Sequence, residues 1–336
     1  MQKLKEIHLS GESELTEQML KAEYPIVFRN LVSDWPIVKL CENNTDPQKR
    51  LHAQAEYLQR FSAGATVPAW VADKKEKGRF FYNQDMSGFN FEQQRLPFND
   101  VLAWLVANAD DEDIASVYLG STSVDLLMPN YRKQNDIALL NKAPLVSLWM
   151  GNRSRVAPHY DATDNVACVL AGRRKFTLFA PEQYDNLYVG PIEFNPAGQA
   201  ISLVDLHAPD FKQYPKFEQA LENAFEATLL PGDAIFIPSM WWHHVEALDA
   251  FNLLQNYWWR QAPEPAANPN DALVHAMLSI KDLPQAQKEV WKDIFDKLIF
   301  NPQPQTHIPD SAQGFLKPLD EEQAARMRKL LLKRLQ

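Results

Sequence analysis

Two cysteines in 336 residues, Cys41 and Cys168, are too few for a disulfide framework and sit in no paired metal-binding spacing. That excludes a small disulfide-stapled scaffold and suits a reducing compartment. No apolar run is long enough to span a bilayer, and Met1 to Glu6 lack the hydrophobic segment of a secretory signal, so the cytoplasm is the expected location and no membrane partner is expected. Basic charge is also short. The 34 Lys and Arg against 43 Asp and Glu give a net charge of -9, which works against non-specific binding to nucleic acid. The 11 glycines build no phosphate-binding loop and no G-x-S-x-G elbow, and the chain has no internal repeat.

What is present falls into three stretches. Up to about residue 110 the spacing of apolar residues is mostly helical, over Glu14–Ala22, Gln48–Phe61 and Phe98–Asn108, with a short strand at Tyr24–Phe28. From Ile114 to Trp259 short apolar runs alternate with glycine and proline. They predict strands at Ala115–Leu119, Val146–Met150, Ala157–Asp161, Ala167–Leu170, Lys175–Phe179, Ala227–Leu230, Ala234–Ile237, Trp242–Ala247 and Leu253–Trp259. Gly172 and Pro231-Gly232-Asp233 supply turns, and Pro181 to about Phe225 reads as an irregular insertion. About nine such strands suffice for a mainly β fold built on a double-stranded jelly roll.

Beyond the strands, Ala272–Ile280 and Gln285–Phe300 carry apolar faces, and Asp320 is a candidate N-cap for a last helix bearing Met327, Leu330, Leu331 and Leu335. Together these helices hold more apolar side chains, Trp291 and Phe295 among them, than one barrel flank would cover. Left bare they would invite aggregation, and a two-fold interface is the commonest remedy, so a homodimer through the C-terminal helices is expected.

Two segments carry the chemistry. In Pro158-His159-Tyr160-Asp161, strand alternation puts His159 and Asp161 on one face. About eighty residues later, Met240-Trp241-Trp242-His243-His244-Val245 offers two histidines that must point opposite ways, and periodicity does not choose between them. Two histidines and one carboxylate form the set that holds non-heme Fe(II) while leaving positions open for oxygen and an organic acid. An H-x-D alone also arises as a hydrogen-bonded pair at a strand end. Trp241 and Trp242 read as barrel packing.

Pro158-His159-Tyr160-Asp161, Asn165, Gly172-Arg173-Arg174-Lys175-Phe176-Thr177-Leu178-Phe179, Pro231-Gly232-Asp233-Ala234-Ile235-Phe236-Ile237-Pro238 and Trp241-Trp242-His243-His244-Val245 together resemble the cupin-like JmjC hydroxylases. That group includes the asparaginyl hydroxylase acting on hypoxia-inducible factor. Tyr24-Pro25-Ile26-Val27, Trp35-Pro36 and the helical C-terminal part extend the likeness over most of the chain. The resemblance implies a cupin-type catalytic domain over residues 1–265, with its barrel core at about 114–260, followed by a helical dimerisation region over 266–336.

It implies His159, Asp161 and His243 as metal and catalytic ligands, with His244 off the metal, and Fe(II) and 2-oxoglutarate as cofactor and co-substrate. The implied reaction hydroxylates a protein, peptide or small-molecule substrate and decarboxylates 2-oxoglutarate to succinate. Arg174 stands where the family usually has a lysine, as the anchor of the remote 2-oxoglutarate carboxylate; its planar fork suits both oxygens. Tyr118 matches a tyrosine that helps this anchor, and Asn165 and Asn256 match polar residues around the metal and co-substrate. Val156 replaces a hydroxyl-bearing residue of the asparaginyl hydroxylase. Two other functions stay open: a cupin enzyme that uses a divalent metal without 2-oxoglutarate, with Arg174 on a substrate anion, and a non-catalytic binding module. The insertion from Pro181 to Phe225 is expected to choose the substrate.

Overall fold

The alternating runs after residue 144 become eight barrel strands in a computed structural model of the chain, which describes residues 1–9, 15–43, 45–139, 142–196 and 198–335. They are β1 (Leu145–Gly151), β2 (Ser154–His159), β3 (Asp164–Ala171), β4 (Arg174–Phe179), β5 (Phe225–Leu229), β6 (Ala234–Ile237), β7 (Trp242–Ala247) and β8 (Asn252–Trp259). One sheet runs β5-β4-β7-β2 and the other β6-β3-β8-β1, with every one of these pairs antiparallel. This is the alternation of a jelly roll. Phe176, Leu178 and Leu229 of the first sheet pack with Ala167, Val169, Ile235 and Leu254 of the second in one apolar cluster inside the barrel.

Both sheets are widened by the N-terminal part. Gln2–Lys3 pairs in parallel with β5, and Arg79–Phe80 with β2. Beyond β6 lie Ile26–Arg29 and Lys5–His8; beyond β1 lie Ser116–Ser123, Thr66–Ala72 and Phe91–Pro97. The first 110 residues are therefore richer in strand than their spacing suggests. Phe91–Pro97 escapes a periodicity search because it is an edge strand with most of its polar side chains at least partly in solvent. The helix expected over Glu14–Ala22 is a single 3-10 turn, Met19–Lys21, with Leu15 and Leu20 buried as anchors; Glu14 lies outside the described residues. Helices do form at Pro47–Gln59 and Phe98–Ala107. The first is capped by the Asp46 carboxylate, which accepts hydrogen bonds from the Gln48 and Lys49 amides.

Strand β3 shows why its run is continuous rather than alternating. Ala167 and Val169 face the barrel, while Val166, Cys168 and Leu170 face the helices and outer strands, so both sides are buried. Each larger apolar side chain covered this way contributes about 2 kcal/mol. At the turn into β4, Gly172 has φ of 68° and a Cβ there would lie 2.4 Å from the Phe251 carbonyl oxygen, so only glycine fits. The Pro231-Gly232-Asp233 turn is closed by the Asp233 carboxylate, which accepts from the Leu230 amide at 3.0 Å and from Arg29 Nη1 at 2.6 Å.

The chain divides into two units, Met1–Trp259 and Arg260–Gln336. In the second, helices run over Pro269–Ser279, Gln285–Phe295, continued by a wider turn to Phe300, and Glu321–Arg334. Asp320 caps the last, accepting from the Gln323 amide at 2.8 Å. The first two of these helices bury none of their residues, and Leu278, Val290 and Phe300 are among the most exposed apolar side chains of the chain. Among the described residues no helix is long and apolar enough to cross a membrane.

Candidate metal centre

His159 is the last residue of β2 and stands opposite His243 of β7, with the two imidazole centroids 4.2 Å apart. Strand alternation alone does not explain this pair. Val245 opposes Val156, so three residue steps on β2 match two on β7, and the extra residue is a bulge at Ala157-Pro158. Pro158 has no amide to waste there. The bulge turns both Val156 and His159 toward the barrel interior, whereas an unbroken strand would separate them. The strand expected to run to Asp161 stops at His159. Asp161 instead sits in the turn before β3, held by the Met240 amide on its carbonyl at 2.8 Å. Its Oδ2 lies 3.6 Å from His243 Nε2. One ligand atom from each of His159, Asp161 and His243 falls within 4.8 Å of the other two.

The ring orientation is settled by the backbone. His159 Nδ1 is 2.9 Å from the Ala157 carbonyl and His243 Nδ1 is 3.0 Å from the Trp241 carbonyl. A carbonyl only accepts, so both Nδ1 atoms carry the proton and both Nε2 atoms offer a lone pair, the form a metal requires. Burial, then the neighbouring His159, pushes the His243 pKa well below its ordinary range, against the pull of Asp161, so His243 is neutral at pH 7. His244, one residue on, faces out of the barrel opposite Thr177.

His159, Asp161 and His243 line a cavity of about 100 Å³ that opens to solvent. Arg174, at the start of β4, lines it too. Its guanidinium is buried, its Nε and Nη2 have no hydrogen-bond partner among the described residues, and no carboxylate among them pairs with it; its partner is the Tyr118 hydroxyl. Burial lowers the Arg174 pKa and raises that of Tyr118 to about 12, the latter tempered by the guanidinium. A buried cation short of an anion is costly on its own, and a bound carboxylate would relieve it.

Asn165 and Asn256 also border the cavity. Trp149 Nε1 donates to Asn256 Oδ1 at 2.9 Å, and Asn256 Nδ2 donates to Asn165 Oδ1 at 3.3 Å, which aims the Asn165 amide. The sequence reading overlooked Trp70, Trp149 and Trp258, which wall the cavity, and Gln199 from the insertion. Trp258 leaves its buried indole N–H without a partner. Its parity with Asn256 on β8 was the available signal. Trp241 and Trp242 are buried, Trp241 donating to the Glu23 carbonyl at 3.0 Å, as packing residues do.

The family model described as "Cupin-like domain" matches residues 12–265. The chain belongs to the cupin-like domain family. JmjC domain-containing protein D of Dictyostelium discoideum is 28% identical over 254 residues, covering 69% of this chain and 50% of that protein. Lysine-specific demethylase 8 of Xenopus tropicalis is 24% identical over 261 residues, covering 75% and 52%. tRNA wybutosine-synthesizing protein 5 of Danio rerio is 33% identical over 129 residues, covering 38% and 34%. The chain thus spans about half the length of the first two relatives and a third of the last. A cupin-like core accounts for the sheet order above, and the cluster of His159, Asp161 and His243 lies in the interior of that core.

Proposed function

We propose that this cupin-like chain is an Fe(II)- and 2-oxoglutarate-dependent oxygenase that hydroxylates a protein side chain, a peptide or a small molecule. The observation that supports it most is one cavity holding both a two-histidine, one-carboxylate set and a buried guanidinium whose Nε and Nη2 lack partners. The donor set suits Fe(II), and the orphaned guanidinium suits a dicarboxylate. When bound, iron and 2-oxoglutarate supply oxygen activation and C–H hydroxylation with loss of carbon dioxide to give succinate.

The chain's own part is positional. His159 and His243 present Nε2 because their Nδ1 protons are spent on carbonyls. Arg174 holds the remote carboxylate of the co-substrate, and Tyr118, which accepts from Arg174, keeps its own O–H free to donate to the same carboxylate. Asn165, steadied by Asn256, orients polar atoms nearer the metal. Trp70, Trp149 and Trp258 keep bulk water away, which strengthens each of these interactions. Val156 contributes no hydroxyl, so the co-substrate hydrogen bond made from that position in the resembled asparaginyl hydroxylase is missing or replaced here.

The relatives' names include a lysine-specific demethylase and a tRNA wybutosine-synthesizing protein. A net charge of -9 favours a protein or small-molecule substrate over nucleic acid. The deciding experiment is anaerobic Fe(II) and 2-oxoglutarate binding, followed by succinate release in air. Retention of metal without any 2-oxoglutarate binding would favour a cupin enzyme that places a substrate anion on Arg174.

We further propose a homodimer through the C-terminal helices of residues 266–336. Leu273, Leu278, Val290, Leu298 and Phe300 are exposed, far more apolar surface than a helical segment this short tolerates in water. A second copy offers the same surface and closes the pair by two-fold symmetry. Light scattering of the whole chain should give the dimer mass; a monomer at micromolar concentration rejects it.

A further inference from the structure

Another cluster stands on the outer side of β7, separated by the strand itself from the cavity. We propose that His207, His244 and Glu246 form a second divalent-metal site, of the chemistry that takes Zn²⁺, tying the insertion to the strand that bears His243. His244 and Glu246 are two apart on β7 and so share its outer face, while His207 comes from the turn of the insertion whose amide is held by Asp205 Oδ1 at 2.9 Å. One ligand atom of each lies within 4.8 Å of the others. His207 Nε2 is 2.6 Å from Glu246 Oε2, and His244 Nε2 is 3.7 Å from Glu246 Oε1.

The second observation is the state of His244. Its ring is buried and its nitrogens make no hydrogen bond of full geometry, only weak contacts to Glu246 and the Val156 backbone, an expense the fold has no packing reason to bear. A ligand at Nε2 removes it. Donors around a tetrahedral zinc, at roughly 2.0–2.2 Å, stand about 3.3 Å apart. The three ligand atoms all lie within 4.8 Å of one another, so no separation has to close by more than about 1.5 Å to reach that spacing, and His207 is half-exposed. Two imidazoles with one carboxylate favour zinc over calcium or magnesium, and three protein ligands leave a fourth position for water.

Charge allows it. Lys175 Nζ is 3.9 Å from Glu246 Oε1 but pairs with Glu226 at 2.7 Å, so two carboxylates face one ammonium. The nearby Arg155 and Arg79 lie against Asp205, at 3.5 and 3.4 Å, and not against Glu246. Without metal the cluster is a His207–Glu246 pair with the buried His244 ring 3.7 Å from the other carboxylate oxygen.

The test is stoichiometry on the whole chain, stripped of metal and titrated calorimetrically with Zn²⁺. The native chain should take two equivalents, Asp161→Ala should keep one, and His207→Ala and Glu246→Gln should each keep one. With Co²⁺ as probe, Asp161→Ala should show the visible absorption of a tetrahedral site, and adding His207→Ala should abolish it. Two equivalents retained in His207→Ala and in Glu246→Gln, or uptake by the native chain that Asp161→Ala removes entirely, overturns the outer site. Uptake that Asp161→Ala leaves untouched but His207→Ala removes would uphold it and count against the inner centre instead. His207 is on the surface, so its loss does not endanger folding.

Discussion

The inner and outer faces of the β5-β4-β7-β2 sheet treat charge in opposite ways. Inward, Arg174 is buried with no carboxylate, and His159, Asp161 and His243 converge with their donor atoms unspent. Outward, Lys175 pairs with Glu226 and Glu246 with His207, while the His244 ring nitrogens and Arg155 Nε lack full hydrogen bonds. Neighbours in sequence are thus sorted into unlike surroundings: His243 from His244, Arg174 from Lys175. On both faces, buried polar atoms without full hydrogen bonds lie near a metal-type donor set: Arg174 beside His159, Asp161 and His243, and His244 within the outer one.

The largest effect on this contrast comes from cutting the inner set. His243→Ala should abolish uptake of Fe(II) at the inner centre and all succinate release, while His244→Ala should retain inner Fe(II) uptake. Equal loss in both variants, measured anaerobically, would erase the distinction between the faces.

Next in size is the anchor. Breaking a buried charge-assisted pair costs roughly 2–5 kcal/mol, so Arg174→Ala should raise the 2-oxoglutarate requirement at least tenfold. An unchanged requirement sinks the role.

The outer face should instead reveal itself in acid. Burial by itself would raise the Glu246 pKa, but the His244 and His207 imidazoles outweigh it and bring it from 4.5 to about 2. A folded value below the unfolded one means the stabilisation is complete above about pH 4.5 and is lost as pH falls toward 2. At about 1.4 kcal/mol per unit, it amounts to at most about 3.5 kcal/mol. Glu246→Gln should flatten the fall of Tm across that window; an identical acid slope in the two proteins counts against the pairing.

The smallest effect is the most discriminating. Replacing an uncompensated buried cation by an apolar chain of similar length removes a desolvation cost, so Arg174→Met should stabilise the ligand-free protein by about 1 kcal/mol. A destabilised Arg174→Met would show that the guanidinium is already satisfied and leave the inner face no different from the outer.

Much of this was legible beforehand because it depends on local chemistry. The strands β3, β4, β6 and β7 follow from apolar runs bounded by Gly172 and Pro231-Gly232-Asp233, and the last helix follows from Asp320. The residues that surround the cavity, His159, Asp161, His243, Arg174, Tyr118, Asn165 and Asn256, were named from motifs and family likeness. Phe91–Pro97 was not legible, because an edge strand facing solvent needs no apolar alternation. Nor was the irregular stretch before Ala22, where Leu15 and Leu20 anchor a turn and not a helix.

By itself, then, the sequence determined which residue types were present at which spacing: a strand pattern, an H-x-D, a tandem histidine, a basic triplet. Only tertiary structure decided which of them meet. The bulge at Ala157-Pro158 shifts parity by one and brings His159 opposite His243, and no period of two foretells an inserted residue. His207 reaches Glu246 from thirty-nine positions away in an insertion without periodicity. Contact between distant segments is set by sheet order and register, which arise from the packing of the whole chain and leave no mark on either segment alone.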